Sequence, residues 1–175
     1  MARRGINAPV TSSAGRLFDA VAALLGVRDA INYEGQAAVE LEQLADPAEQ
    51  GAYPAAITGG SPLRVAGADL VRAAAEDLLT GVPPRIIAAR LHNGVAAMIS
   101  RACLLLRERA GLGTVALSGG VFQNLLLLNG VVQLLEHDGL RVLVHARVPP
   151  NDGGISLGQA AVAAARDRMA RKSPP

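Results

Sequence analysis

Tryptophan is absent from the 175 residues, and phenylalanine and tyrosine occur twice each. A core must therefore come from Ala, Val, Leu and Ile, which suits close packing of helices on a sheet. The single cysteine, Cys103, excludes internal disulfides and cysteine metal clusters. It lies in an apolar helical run, 96–106, and reads as a small core residue. No apolar run approaches the roughly 20 residues needed to span a bilayer. The opening Met1-Ala2-Arg3-Arg4 is followed by Gly, Asn and Pro rather than a signal-peptide core, so the expected location is cytoplasmic. Seventeen cationic against 15 anionic side chains leave a net charge of only +2. Arg166, Arg168, Arg171 and Lys172 gather at the end as a solvated tail, so nucleic acid is not implied as a partner. His92, His137 and His145 lack zinc-binding spacing, and no serine or cysteine nucleophile signature is present.

What is present is enough chain for one domain, 1–171, with a disordered tail at 172–175. After a loop with Pro9, Thr11-Ser12-Ser13 caps a helix at about 14–25, with Leu17, Val21, Leu24 and Leu25 on one face and Gly26 ending it. Further helices are expected at 34–44, 67–79 and 83–110, the last opened by a proline pair. Short strands fit within 55–65. From Thr114 the order becomes strand (114–117), helix, strand (141–146), loop, helix (154–171). Such a βαβα progression predicts the α/β class, a mixed sheet flanked by helices.

Two loops fall at the carboxyl ends of those strands, where ligands gather in open α/β sheets. In Ser118-Gly119-Gly120 the strand breaks on two glycines and runs into an apolar helix expected to open at Val121. The unpaired amides of such a turn cradle an anion, although glycines there also serve simple packing. In "PPNDGG", Asp152 fits either an N-cap or a ligand to a divalent cation beside phosphates. Asp19 stands in an otherwise apolar helix and should face a partner, a ligand or water. Gly35, near the start of the next helix, leaves room for a ligand or for a second helix.

Four segments, "TSSAGRLFDAVAALLG", "YEGQAAVELE", "LSGGVFQN" and "PPNDGGISLGQA", together resemble the carboxyl-terminal, TsaD-like part of the hydrogenase-maturation carbamoyltransferases of the HypF family. The resemblance runs from about residue 5 to residue 165. It implies one lobe of an actin/Hsp70-like, ribonuclease H-like ATPase fold. It also implies an ATP-dependent carbamoyltransferase in which carbamoyl phosphate and ATP with Mg give carbamoyl adenylate. The carbamoyl group then passes to the carboxyl-terminal cysteine of a HypE-like acceptor protein, so Cys103 is not needed as nucleophile. By the same resemblance, Asp19, Gly35, Gly119, Gly120 and Asn124 contact the nucleotide or adenylate, and Asp152 completes a site for a divalent metal, zinc or iron.

The family's His-x-x-x-His metal pair has no match here. That pair, the other ATPase lobe, and the acylphosphatase-like, zinc-finger and YrdC-like domains are expected upstream. The chain then reads as a second lobe, inactive in transfer by itself. Two alternatives are a docking or homodimerising module without catalysis, and a TsaD-like tRNA modifier. The last is disfavoured by Asn151-Asp152-Gly153-Gly154 in place of that family's Thr-Asp-Asn motif, and by the lack of a basic stripe.

Overall fold

A computed structural model describes residues 11–171. The expected loop at Pro9 and tail at 172–175 lie outside the described residues. Helix α1 (Ala14–Leu24) starts where the sequence offers a cap: Ser13 is extended and its Oγ accepts the Arg16 amide at 3.5 Å. Its core face is Phe18, Val21 and Ala22; Leu17 and Leu25 pack partly, while Leu24 turns outward. The only ring on that helix therefore enters the core in place of the leucine expected there.

The centre of the molecule is α4 (Pro84–Ala110), opened by Pro83 and Pro84 and closed by left-handed Gly111. Its residues Ile87, Ala88, Leu91 and Val95 are buried against α2 (Gln36–Leu44), α3 (Gly67–Leu79) and α5 (Leu125–His137). Fully buried Leu41, Leu70, Leu91, Leu127 and Leu135 each contribute about 1.5–3 kcal/mol. Gly94 lets the Tyr53 segment lie directly on α4; a Cβ there would stand 2.6 Å from the Tyr53 carbonyl oxygen. The Tyr53 amide donates to the Arg90 carbonyl at 3.2 Å, and the Tyr53 hydroxyl to Asp77 at 2.6 Å. Cys103 is half-buried at the edge of this core, and burial pushes its thiol pKa up.

The class is α/β, with the sheet divided into two short pairs. β1 (Ile57–Thr58) runs antiparallel to β2 (Arg64–Val65), and β3 (Thr114–Ala116) runs parallel to β4 (Arg141–Leu143), with Thr114 opposite Arg141. α5 makes the crossover that parallel pairing demands. β4 stops three residues earlier than the sequence predicts, because the chain from Val144 leaves the ladder for a loop. The last helix, α6 (Ile155–Ala170), buries no residue. No helix among the described residues is long and apolar enough to cross a membrane.

Candidate functional site

The turn after β3 is built by Gly119, whose φ of 106° and ψ of 154° fall in a region open only to glycine. Its amide donates to the Pro150 carbonyl at 2.8 Å, tying this loop to the one after β4. A 3-10 turn, Gly120–Gln123, follows, and α5 opens only at Leu125, not at Val121. The reason is Asn124: its extended backbone interrupts the helical path, and its Oδ1 caps α5 by accepting the Leu127 amide at 2.8 Å. The leading amides of the 3-10 turn, at Gly120 and Val121, have no acceptor within the turn and border a cleft.

The remaining polar face of Asn124 is also committed. Its Nδ2 donates to Nε2 of buried His92 at 2.9 Å, while His92 Nδ1 donates to the Ala88 carbonyl at 2.7 Å. Both contacts require neutral imidazole with its proton on Nδ1. Burial, against the Phe18 ring at 4.9 Å, lowers the His92 pKa, and the Ala88 bond opposes that only in part.

On the second loop the capping role falls to Asn151, whose Oδ1 accepts the Gly153 amide at 3.0 Å. Asp152 is thereby released from capping. It is exposed and has neither a hydrogen bond nor an ion pair among the described residues. Gly154 is needed for the tight return, since a Cβ would meet the Pro149 carbonyl at 2.8 Å. Ser118 Oγ and His145 Nε2 share a hydrogen bond of 2.9 Å across the two strand ends.

From the opposite side come the amino ends of α1 and α2. Asp19 pairs with Arg16 at 2.9 Å, yet its Oδ2 is shielded and no donor among the described residues is aligned on it. The two facts agree if the contact is charge attraction without directed hydrogen bonding, which leaves that oxygen's lone pairs available. Gly35 has φ 80° and no described atom within 4 Å of where a Cβ would stand, so it faces open space in the cleft and not a second helix. The approach to it is braced: Arg28 clasps Glu40 at 2.9 and 2.6 Å, and Gln36 bonds both Glu40 and the Asn32 amide. The Arg28 bonds, and then that of Gln36, hold the Glu40 carboxyl below its usual pKa. Glu42, two residues further along α2, reaches across to accept the Leu126 amide at 3.0 Å.

These segments enclose one cleft of about 760 Å³. Asp19, Gly35, Gly119, Gly120, Asn124 and Asp152 all line it, although they come from four separate stretches of chain. Arg16, Glu34, Glu42, Gln123 and Asn151 line it as well, and the sequence reading missed them. Arg16 was detectable from its three-residue spacing to Asp19; Glu42 was not, because its partner is 84 residues away. The open space at both glycines and the unsatisfied Asp19 oxygen fit a nucleoside or nucleotide. A metal is different: no group of three or more His, Cys, Asp or Glu among the described residues forms a metal site, so Asp152 offers one ligand alone.

Residues 1–159 match the family model described as "Carbamoyltransferase, Kae1-like Domain, second subdomain". The chain is 42% identical over 168 residues to the carbamoyltransferase HypF of Rhodobacter capsulatus, covering 95% of this chain and 21% of that protein. It is 35% identical over 154 residues to HypF of Synechocystis sp., covering 87% and 19%. Among solved structures, full-length HypF in the phosphate- and nucleotide-bound form superposes with a TM-score of 0.87 at 42% identity, over 92% of this chain and 21% of that one. HypF of T. kodakarensis gives 0.82 at 29% identity, over 91% and 21%. The chain thus spans about a fifth of the length of these relatives.

Proposed function

As the chain belongs to the Kae1-like carbamoyltransferase family, in its second subdomain, we propose that residues 1–171 act as one lobe of an ATP-dependent carbamoyl-transfer site. The lobe holds the nucleotide portion of carbamoyl adenylate, made from carbamoyl phosphate, ATP and water with release of phosphate and pyrophosphate. A cysteine thiolate of a HypE-like acceptor attacks the carbamoyl carbon: a C–S bond forms, the C–O bond to the adenylate phosphate breaks, AMP leaves with that electron pair, and the thiol proton goes to solvent. Magnesium bound with ATP would neutralise phosphate charge. A second divalent metal, zinc or iron, would take Asp152 together with ligands outside this chain.

The observation that carries the reading is the convergence of Asp19, Gly35, Gly119, Gly120, Asn124 and Asp152 on one cleft. Within it, this chain's residues bind and orient. Asp19 offers an acceptor to ligand hydroxyls, Gly35 clears the wall, and the Gly120 and Val121 amides donate to an anionic oxygen. A cleft of one lobe supplies only part of the contacts, so binding is weak and transfer needs the remaining domains. Calorimetric titration with adenosine, AMP and ATP with magnesium tests this: saturable binding that Asp19→Asn weakens supports it, and no heat at millimolar ligand sinks it.

A docking or dimerising module is the second reading, favoured by one observation: α6 buries nothing, with Ile155, Leu157 and Val162 each more than half exposed.

A further inference from the structure

Glu42 lines the cleft, yet its carboxylate is not free to move through it: Oε1 accepts the Leu126 amide at the amino end of α5, 3.0 Å away. Asn124 accepts the next amide, that of Leu127, at 2.8 Å. Two of the three leading donors that would draw a phosphate to this helix are thus held by the protein's own acceptors, one of them fully charged, and the third, the Leu125 amide, belongs to a residue outside the cleft lining. A carboxylate at a helix amino end takes up the favourable dipole interaction that an external anion would otherwise use.

The rest of the lining has the same sign. Among the described residues, Asp19, Glu34, Glu42 and Asp152 face the cleft against a single cation, Arg16, which is already paired with Asp19. Glu34, Glu42 and Asp152 have no cationic partner among the described residues. The uncommitted amides, at Gly120 and Val121, lie on the opposite flank of Asn124 from α5.

We propose that Glu42 is a specificity-determining residue: it closes the amino end of α5 to anionic groups, so that the α2–α5 side of the cleft takes the uncharged, hydroxyl- and amino-bearing end of a nucleoside, while phosphates are confined to the Gly119–Val121 turn. This rests on the nucleotide reading given above. The Glu42 charge stands at the amino end of the helix, so it disfavours every phosphate-bearing form placed there relative to a neutral nucleoside.

The test is titration of the 175-residue chain with adenosine and with magnesium-free ATP, comparing the native protein with Glu42→Gln. Glutamine keeps an oxygen for the Leu126 amide and removes only the charge. Expected are tighter adenosine than magnesium-free ATP in the native protein, and roughly tenfold tighter ATP in the variant, the size of one unit charge between the water and protein-surface limits. The ATP-to-adenosine affinity ratio should rise by that same factor, and added salt should narrow the native ATP–adenosine gap. If adenosine binds and the variant leaves ATP affinity where it was, the role of Glu42 is overturned and the nucleotide reading survives. If the variant changes both ligands equally, Glu42 is a general structural or contact residue and the inference also fails. If adenosine does not bind the native chain, both readings fall. A melting curve for Glu42→Gln within a few degrees of native confirms that the comparison is between folded proteins.

Discussion

Asn124 and His92 fix one another. The amide Nδ2 donates to the imidazole Nε2 at 2.9 Å, and each residue uses its other polar atom on backbone, Leu127 N–H and Ala88 C=O. A residue expected to touch ligand thereby also joins α4 to α5. Asn124→Ala removes a helix cap, worth about 1 kcal/mol, and strands a buried ring nitrogen, at about 1–3 kcal/mol. The expected loss is about 2–4 kcal/mol in denaturant unfolding. Asn124→Asp keeps the cap acceptor but faces His92 with a second acceptor, so the ring should take up a proton more readily. That upward shift is readable by NMR titration of the imidazole.

The same contacts give a pH dependence. Burial holds the folded His92 pKa below its ordinary 6.5, so the unfolded chain binds the proton first. Stability from this group is complete above that value and falls as pH drops between 6.5 and the lower folded pKa, where the unfolded state carries more protons. Glu40 and Asp77, whose folded pKa values are lowered from 4.5 and 3.8, lose their contributions only in more acid solution. Denaturation midpoints measured from pH 8 to pH 5 should therefore decline in the native protein, and much less in His92→Gln.

Substitution at the two open glycines separates conformation from space. Neither would-be Cβ meets an atom within 4 Å, so any destabilisation comes from backbone angles alone. Gly35, with φ 80° and ψ 0°, is left-handed. Gly35→Asn should cost less than Gly35→Ala, which should lose about 1 kcal/mol. Gly119, with φ 106° and ψ 154°, tolerates neither, and Gly119→Ala should cost about 1–3 kcal/mol. Thermal unfolding of the three variants checks the order.

Much of this site could be read from short-range pattern. Strand β3, the break on Gly119-Gly120, the proline opening of α4 and the cleft-facing Asp19 and Asp152 all carry local signals of angle, cap or misplaced charge. Two details turn on which residue caps a helical turn. Helix α5 was read from Val121 because the apolar run is continuous, although Asn124 before Leu125 is itself a preferred N-cap. The cap on the second loop belongs to Asn151, leaving its neighbour Asp152 exposed to the cleft. Glu42 had no local signal, since its meaning depends on a helix end 84 residues later. The splitting of the sheet was likewise hidden: strands of two or three residues carry too little alternation to reveal their partners.

Helix α6 supplies the last prediction. No side chain between Ile155 and Ala170 is buried, so the helix contributes almost nothing to the core it follows. Truncation after Gly154 should leave the unfolding free energy within about 0.5 kcal/mol of the native value, as for surface changes away from caps, cavities and buried polar groups. Its apolar residues have a different consequence. Ile155, Val162 and Ala165 fall on one stripe at alternating seven- and three-residue spacing, with Gly158 between them, a surface that closely approaching helices favour. If this stripe meets a second copy of the chain, sedimentation velocity will show mass rising with concentration in the native protein and a constant monomer in the truncated one. Monomer at all concentrations for both would remove the dimerising module from consideration and leave the stripe to the domains that the longer relatives carry.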